Sequence, residues 1–305
     1  MLVVAKPVGP TSHDVVGLIR RLSATKRVGH GGTLDPFASG VLPVFLGKAT
    51  RLVEFHLGDR KRYRATVCFG ASSTTDDLEG ALTPATGAAP TRTTVEAALD
   101  RFRGPIEQRP PAYSAIKVAG RRAYAMARAG ETVELAARSV TIHTLDLLSW
   151  DAATPGEPIA ILDVECSAGT YVRSLARDLG EAVGSAAYLG ALTRTSSGPF
   201  ELATATDLDA VRAAALEGPA AVAALLLPID AGLDLPTVVV PEAAFVAIGR
   251  GQPIGVPAGT PALDAETPIR LVDETGRLLA IARLAGSKLA PHKVLIDAPA
   301  GADPA

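Results

Sequence analysis

Residues 27–44 have the sequence Arg27-Val-Gly-His-Gly-Gly-Thr-Leu-Asp-Pro-Phe-Ala-Ser-Gly-Val-Leu-Pro-Val44. One carboxylate, Asp35, stands among glycines and prolines, which permit tight turns and the close approach of a ligand to the backbone. The apolar run at residues 41–46 predicts a buried strand that would hold the loop on a rigid support, as is usual for catalytic residues. Asp-Pro also begins ordinary turns, so the residues alone leave both a catalytic and a structural Asp35 open.

The composition predicts a folded enzyme-sized protein. With 305 residues and 48% hydrophobic residues, the chain can bury a large core in one or two domains. No apolar run approaches the ~18 residues of a membrane span, and the first residues lead into a strand-like segment without the features of a signal peptide. We therefore expect a cytoplasmic protein that does not bind membranes.

The titratable residues do not suggest a metal site or a disulfide. Cys68 and Cys166 lie far apart in strand-like runs, and the five histidines lack the spacing of metal ligands. Leu34 stands where a dinucleotide fingerprint needs its third glycine, and Ala49 stands where a phosphate loop needs Ser or Thr. We expect no metal and no cofactor, so side chains must supply the chemistry.

The net charge of −2 hides an uneven distribution. Residues 1–64 contain 11 Lys or Arg and 4 Asp or Glu, and residues 101–128 contain 7 and 1. These two basic blocks (residues 1–64 and 101–128) predict an electropositive face near Asp35 that is suited to nucleic acid. Ordinary solvated surfaces would give the same counts.

Hydrophobic spacing predicts the main elements. A helix follows a cap at Thr11 or Ser12, and alternation at residues 61–70 predicts a strand with Tyr63 on its apolar face. That position favours a core role for Tyr63 over a catalytic one. Gly169-Thr170 is predicted to form a turn and cap before a helix at residues 171–183.

Arg173 lies in the first turn of that predicted helix, where the helix dipole disfavours a cation. We therefore expect a carboxylate or phosphate partner for Arg173. From about residue 237 onward, short strands and a hairpin at residues 269–282 predict a separate β-rich domain.

Five segments in order resemble one known family over about residues 2–200. They are Lys6-Pro-Val-Gly-Pro-Thr-Ser-His-Asp-Val-Val16, Val28-Gly-His-Gly-Gly-Thr-Leu-Asp-Pro36, Lys61-Arg-Tyr-Arg64, Pro110-Pro-Ala-Tyr-Ser-Ala-Ile-Lys117 and Cys166-Ser-Ala-Gly-Thr-Tyr-Val-Arg173. Together they resemble the bacterial tRNA pseudouridine-55 synthases of TruB type. One departure is Gly31, where the family usually has Thr or Ala.

The resemblance implies an α+β fold with a mixed, largely antiparallel central sheet, flanking helices and a small C-terminal β-rich, PUA-like domain. It places the catalytic domain at residues 1–232, with an RNA-gripping insertion at about 108–138, and the PUA-like RNA-binding domain at 233–305. The implied reaction breaks the C1′–N1 bond of uridine and rejoins the base through C5 without a cofactor.

The resemblance also implies roles for individual residues. Asp35 is the catalytic carboxylate, Arg173 is its ion-pair partner, and Tyr63 stacks on the base and assists removal of the C5 proton. Lys6 supports the loop, whereas Tyr171 and Leu192 line the base pocket. His30 fills the space that the flipped uridine leaves, although the residues alone favour a histidine that is simply satisfied in its loop.

The implied partner is the T arm of tRNA, bound by a monomer that needs no protein partner and no membrane. Two other interpretations stay open: a guide-RNA-dependent relative that shares the Asp loop but needs partner proteins, and an RNA-binding or RNA-folding module whose catalysis is secondary. The basic, proline-rich segment 108–128 favours the stand-alone enzyme.

Overall fold

The computed structural model describes residues 1–114, 116–118, 120–128, 131 and 135–297. Parts of the predicted insertion at 108–138, and residues 298–305 of the predicted C-terminal domain, lie outside the described residues.

The strands are β1 (Leu2–Lys6), β2 (Val28–His30), β3 (Ala38–Leu46), β4 (Lys61–Phe69), β5 (Ala71–Ser73), β6 (Leu82–Pro84), β7 (Gly104–Gln108), β8 (Lys117–Val118), β9 (Arg121–Arg122), β10 (Arg138–Asp151), β11 (Ile159–Cys166), β12 (Ala187–Ser197), β13 (Phe200–Glu201), β14 (Thr206–Asp207), β15 (Thr237–Val239), β16 (Ile254–Gly255), β17 (Ile269–Val272), β18 (Leu278–Ala285) and β19 (Lys288–Val294). The α-helices are α1 (Ser12–Leu22), α2 (Val53–Leu57), α3 (Arg92–Leu99), α4 (Ala123–Arg128), α5 (Val172–Ala182), α6 (Leu208–Glu217), α7 (Pro219–Ala224) and α8 (Phe245–Gly249). Short 3-10 helices span Gly47–Leu52, Asp100–Phe102, Leu202–Thr204 and Glu242–Ala244.

A central sheet runs in the order β14-β1-β3-β12-β4-β11-β10-β7, with β2 beside β3 and β13 beside β12. The pairs β1–β14 and β3–β12 are parallel, and the other pairs are antiparallel. The predicted mixed, largely antiparallel sheet is confirmed. Helices α3 and α5 contribute to the core formed with β4, β10, β11 and β12, whereas α1 and α6 pack on β1 and β3.

The local sequence explains where α1 begins. Thr11 accepts a hydrogen bond from the backbone of Asp14, and Asp14 accepts one from the backbone of Thr11. This reciprocal arrangement satisfies donors that a helix start otherwise leaves free. Val15 and Ile19 then lie buried against β1 and β3, so the helix places its first residue, Ser12, next to the Asp35 loop.

The start of α5 differs from the prediction by one residue. Tyr171, rather than Thr170, is the N-cap, and it makes no side-chain cap. The Gln108 side chain instead accepts from the Tyr171 N–H (2.8 Å) and donates to the Tyr171 carbonyl (3.0 Å). A distant strand end therefore replaces the local cap, which sequence spacing alone does not reveal.

The C-terminal residues form a second sheet in the order β15-β17-β18-β19-β16. The predicted hairpin is present as β17 and β18. Leu52 and Phe55 from the first part of the chain pack with Val272, Leu278 and Ile281 of the second sheet, so an apolar cluster joins the two parts. Across the described residues, none of the helices combines the length and apolar character needed to cross a membrane.

Candidate active site

The loop that carries Asp35 connects β2 to β3 and is held by its neighbours on both sides. Ser12 Oγ accepts a hydrogen bond from the Leu34 N–H (2.8 Å) and donates to the Leu34 carbonyl (3.0 Å). The N–H of Gly9 donates to the carbonyl of Pro36 (2.9 Å). The backbone on either side of Asp35 is thus fixed before any ligand arrives, as positioning a reactive group requires.

Lys6, at the end of β1, supports the same loop. Its side chain is buried, and Nζ donates to the carbonyls of Ala38 (2.6 Å) and Pro7 (2.9 Å). Burial lowers the pKa of Lys6 to about 8, and the charge of Asp35 opposes that shift. Lys6 therefore lies where the resemblance implies, with its charge close enough to act on the carboxylate.

Arg194, on β12, is a site residue that the sequence reasoning missed. Its side chain is 1% exposed, and it donates to the carbonyls of Val41 (2.7 Å), Gly32 (3.1 Å) and Thr33 (3.4 Å). The available signal was a charged residue two positions after Leu192, on the same face of a strand that otherwise alternates apolar residues inward. Arg194 holds the glycine-rich half of the Asp35 loop.

Strand register places Lys6, Arg194 and Tyr63 in one row across the sheet. Lys6 pairs with Gly40, Gly40 with Arg194, and Arg194 with Tyr63. Gly40 has φ +112°, and a Cβ there would lie 2.1 Å from the Arg194 carbonyl oxygen. The row needs a glycine at this position because β3 and β12 approach too closely for a side chain.

The carboxylate of Asp35 pairs with Arg173, which α5 brings from the other side of the site. Arg173 Nε lies 3.0 Å from Asp35 Oδ2, and the side chains are 8% and 36% exposed respectively. The expected anionic partner of a first-turn arginine is therefore a carboxylate. Asp35 therefore remains accessible to a ligand, whereas the Arg173 guanidinium behind it is buried.

A second carboxylate, Asp77, shares the same guanidinium and was also missed. Arg173 Nη1 lies 3.1 Å from Asp77 Oδ2, and the Asp77 side chain is 4% exposed. Arg173 also donates to the carbonyls of Thr75 and Tyr113, both at 3.1 Å. Asp77 lies in a polar connection between β5 and β6, where no local pattern distinguishes it from a solvated acid.

The electrostatics of Asp35 reflect opposing influences. Burial raises the pKa of Asp35 and the nearby charge of Asp77 adds to this, whereas Arg173 and Lys6 lower it, and the net result is a raised pKa. The carboxylate is thus held between two cations and one anion in a partly dry site.

Tyr63 and Leu192 lie on the sheet beside the loop. Tyr63 is 9% exposed and belongs to the main hydrophobic core, as the apolar alternation predicted. Burial raises the pKa of the Tyr63 hydroxyl, and the charge of Arg194 opposes this. Leu192 is buried and pairs with Ala38 on β3 and with Ala65 on β4. Both side chains can therefore form the floor of a pocket next to Asp35.

Tyr171 lies two residues before Arg173 and is partly buried. The Arg138 guanidinium lies 4.9 Å from the centroid of its ring, which is cation–π geometry. Arg138 and Gln108 thus fix the Tyr171 ring and backbone, and Tyr171 is placed by the same segment that delivers Arg173.

His30 ends β2 at the edge of the loop. Its Nδ1 accepts from the Gly32 N–H (3.4 Å), and burial lowers the pKa of His30, with the charges of Arg194 and His13 lowering it further. The neighbouring Gly31 is explained by packing, because a Cβ there would lie 3.0 Å from the Phe45 ring. A larger residue at 31 therefore requires that ring to move.

The first basic block is divided by the structure into buried, paired and free cations. Lys6 and Lys61 are buried, and Arg60 and Arg62 pair with acids on β11. Four exposed cations at the end of α1 and just after it have no ion pair within the part of the chain that the structure describes: Arg20, Arg21, Lys26 and Arg27. These four form the free cation cluster.

Comparison with solved structures identifies the fold. The chain resembles a protein in "Structure of H/ACA RNP bound to a substrate RNA containing 2'-deoxyuridine", with a TM-score of 0.72 and 25% identity over 97% of this chain and 86% of that chain. It resembles one in "Crystal Structure of a Cbf5-Nop10-Gar1 Complex" with a TM-score of 0.71 and 26% identity, over 97% and 85%. The fold is that of a pseudouridine synthase, an RNA-modifying isomerase.

Sequence comparison gives the particular family. A model described as TruB family pseudouridylate synthase (N terminal domain) matches residues 20–172, and one described as tRNA pseudouridylate synthase B C-terminal domain matches 173–234. The chain belongs to the TruB family. Relatives called tRNA pseudouridine synthase B include one from Arthrobacter sp. (strain FB24), 44% identical over 100% of this chain and 98% of the relative. Another, from Bradyrhizobium diazoefficiens, is 44% identical over 96% and 84%.

Proposed function

We propose that this chain converts uridine 55 in the T-arm loop of tRNA to pseudouridine, as a monomer and without a protein partner. The observation that carries the proposal is the pair of Asp35 and Arg173, with Nε and Oδ2 3.0 Å apart and the carboxylate 36% exposed. A partly open carboxylate with a fixed direction is what an aspartate-dependent rearrangement of a glycosidic bond requires.

Asp35 is the group that acts on the uridine in this proposal. Its ionised carboxylate attacks as a nucleophile or removes a proton from the sugar, and the C1′–N1 bond breaks. The base turns and rejoins the sugar through C5, and the proton on C5 is then lost. Arg173 keeps the carboxylate ionised and aimed, since an adjacent guanidinium favours the charged form.

Tyr63, Leu192 and Tyr171 hold the base. The Tyr63 ring stacks on the uracil, and its hydroxyl assists removal of the C5 proton. Support comes from its buried position on β4 beside Arg194 and Asp35. Leu192 and Tyr171 supply apolar walls, and Lys6 keeps the loop in place through its hydrogen bonds to loop carbonyls.

The uridine must leave the folded RNA to reach this site, at a cost of a few kcal/mol. His30 fills the vacated space in the proposal. It stands at the rim of the loop, partly buried, and its lowered pKa favours the neutral ring. A neutral ring stacks between bases at lower desolvation cost than a charged one.

The rest of the RNA is held by charge. We assign the free cation cluster (Arg20, Arg21, Lys26 and Arg27) to phosphates near the opened loop. Residues 1–232 form the catalytic domain, with the RNA-gripping insertion at about 108–138, and residues 233–305 form a PUA-like RNA-binding domain. This division is supported by the sheets, since the central sheet ends at Asp207 and the second begins at Thr237.

The test uses purified full-length protein alone with unmodified tRNA transcript, scored for pseudouridine at each position. Wild type is expected to modify position 55, and Asp35→Asn is expected to bind the transcript with unchanged affinity but to give no product. Product from Asp35→Asn at the wild-type rate would overturn the site assignment.

The same assay separates the two other interpretations. One structural neighbour comes from an H/ACA RNP and another from a Cbf5-Nop10-Gar1 complex, which is the observation that favours the guide-RNA-dependent alternative. That enzyme gives product only when guide RNA and partners are added. An RNA-folding module retains its effect on tRNA folding with Asp35→Asn. Product from the protein alone, lost with Asp35→Asn, is the outcome that the proposal requires.

A further inference from the structure

Arg194 is a buried cation whose partners, among the residues that the structure describes, are backbone carbonyls rather than carboxylates. It is among the largest fully buried side chains. Burying a charge is costly, and buried arginines are normally paired with an acid. The hydrogen bonds that compensate Arg194 come from carbonyl oxygens of the Asp35 loop and β3.

The guanidinium has the Asp35 loop on one side and Tyr63 on the other. Its nitrogens hold Gly32, Thr33 and Val41 by their carbonyls. Arg194 also lies directly opposite Tyr63 in the β12–β4 pair, and its charge works against the burial that raises the pKa of the Tyr63 hydroxyl. One rigid planar group thus lies between the two parts of the site that must meet the same uracil.

We propose that Arg194 is a positioning residue for the isomerisation, which holds the Asp35 loop by its carbonyls and so fixes the separation between Asp35 and Tyr63, the cross-strand neighbour of Arg194. The inference rests on the proposed function, which supplies the uracil. It assigns no contact between Arg194 and the substrate, because the side chain is closed off behind the loop and the tyrosine.

The test compares Arg194→Gln, Arg194→Lys and Tyr63→Phe with the double variant Arg194→Gln/Tyr63→Phe. Misplacing a catalytic group by ~1 Å can lower the rate by ~100-fold, and we expect a fall in kcat of this size for Arg194→Gln, with KM changed less than about threefold. Lysine keeps the positive charge but not the planar set of guanidinium donors, so Arg194→Lys should retain more of the wild-type rate than Arg194→Gln does. Arg212→Gln, an exposed arginine on α6, is the matched control and should keep wild-type kcat.

The double variant reports whether the two residues act together. If Arg194 acts through Tyr63, adding Arg194→Gln to Tyr63→Phe should lower kcat by much less than the ~100-fold expected for Arg194→Gln alone, because the effects of coupled groups are not additive. If the reduction in kcat of the double variant equals the product of the two single reductions, the proposal is wrong.

A second readout needs no tRNA and is independent of the proposed function. The Tyr63 phenol is titrated by NMR with ring-labelled tyrosine and assigned by Tyr63→Phe. Loss of the neighbouring cation should raise its pKa in Arg194→Gln, whereas Arg212→Gln should leave it unchanged. An unchanged phenol pKa would overturn the proposal even if the rate falls. If Arg194→Gln does not fold, Arg194→Lys decides by its rate alone, because lysine keeps the cation beside Tyr63. A wild-type kcat in Arg194→Lys would then contradict the proposal.

Discussion

Arg173 is shared by two carboxylates that differ in access. Asp35 is 36% exposed and Asp77 is 4% exposed, so a ligand can engage the first while the second stays closed. When Asp35 turns to the uridine, Asp77 continues to neutralise the guanidinium. The site thereby avoids leaving an uncompensated buried charge, which would be strongly destabilising.

The position of Asp77 predicts a shift in the pH dependence of the reaction. The charge of Asp77 raises the pKa of Asp35, so Asp77→Asn should lower that pKa. The reactive form is the carboxylate, and activity is lost as the pH falls through its pKa. The acid limb of kcat/KM, which reports the free enzyme, should therefore move to lower pH in Asp77→Asn.

The neighbouring Asp76 provides the control for this shift. Asp76 pairs with Arg177 at 2.7 Å, and the leading charge effects on the pKa of Asp35 come from Arg173, Asp77 and Lys6 instead. Asp76→Asn should leave the acid limb where wild type has it. An acid limb that moves equally in both variants, or moves upward in Asp77→Asn, would contradict the assignment.

At the scale of elements, the site depends on how closely β3 and β12 approach each other. Gly40 on β3 faces the backbone of Arg194 on β12, and it has φ +112°. An alanine there must bear both the strain of positive φ and a contact of 2.1 Å with a carbonyl oxygen. Lys6 and Arg194 can flank the loop on the same face because the position between them has no side chain.

We predict that Gly40→Ala lowers the free energy of unfolding by at least about 3 kcal/mol, the upper range for backbone strain alone, since the contact adds to it. Urea unfolding measures the loss. Gly104→Ala separates the two causes, because Gly104 has φ +83° with open space around it. Equal losses in the two variants would show that the approach of β12 contributes nothing.

Helix α5 shows what can be foreseen for an element. Its position and the need of Arg173 for an anion followed from sequence spacing and the helix dipole. The contacts that Arg173 makes could not be foreseen in this way, because Asp77 and Tyr113 reach it from loops about 60 to 100 residues away. Such loops carry no periodic signal, and the pairing is decided only when the strands around them are in register.

For the whole molecule, the distribution of charge matters more than its sum. The net charge is −2, yet the free cation cluster (Arg20, Arg21, Lys26 and Arg27) is exposed at one end of α1. Binding of tRNA through such cations releases counterions from the RNA, so affinity should fall steeply as salt rises.

We predict that Lys26→Ala/Arg27→Ala reduces the slope of log affinity against log salt by about 2, or about 1 for each phosphate contact removed. Affinity for unmodified transcript is measured across a salt series. Arg92→Ala/Arg212→Ala removes two exposed charges elsewhere and should leave the slope unchanged. A flat salt response of wild type would contradict the electropositive face altogether.

The sequence by itself determined the local structure and the chemistry of this protein. Alternation and spacing predicted Tyr63 on a buried strand face and Arg173 at a helix start, and five ordered segments indicated the family that the comparisons show. The placement of Tyr63 and Arg173 follows from the order of residues along a few turns or strand positions, which is all that local periodicity encodes, whereas the family follows from the resemblance of the five segments.

Only the tertiary structure decided which residues share the site. The row of Lys6, Gly40, Arg194 and Tyr63 comes from four strands that lie far apart in the chain, and Asp77 reaches Arg173 from a polar connection. Strand register and close packing set these contacts. A buried arginine that is held by carbonyl oxygens is recognisable only after the backbone that surrounds it has folded, because each partner is a backbone group that every residue possesses.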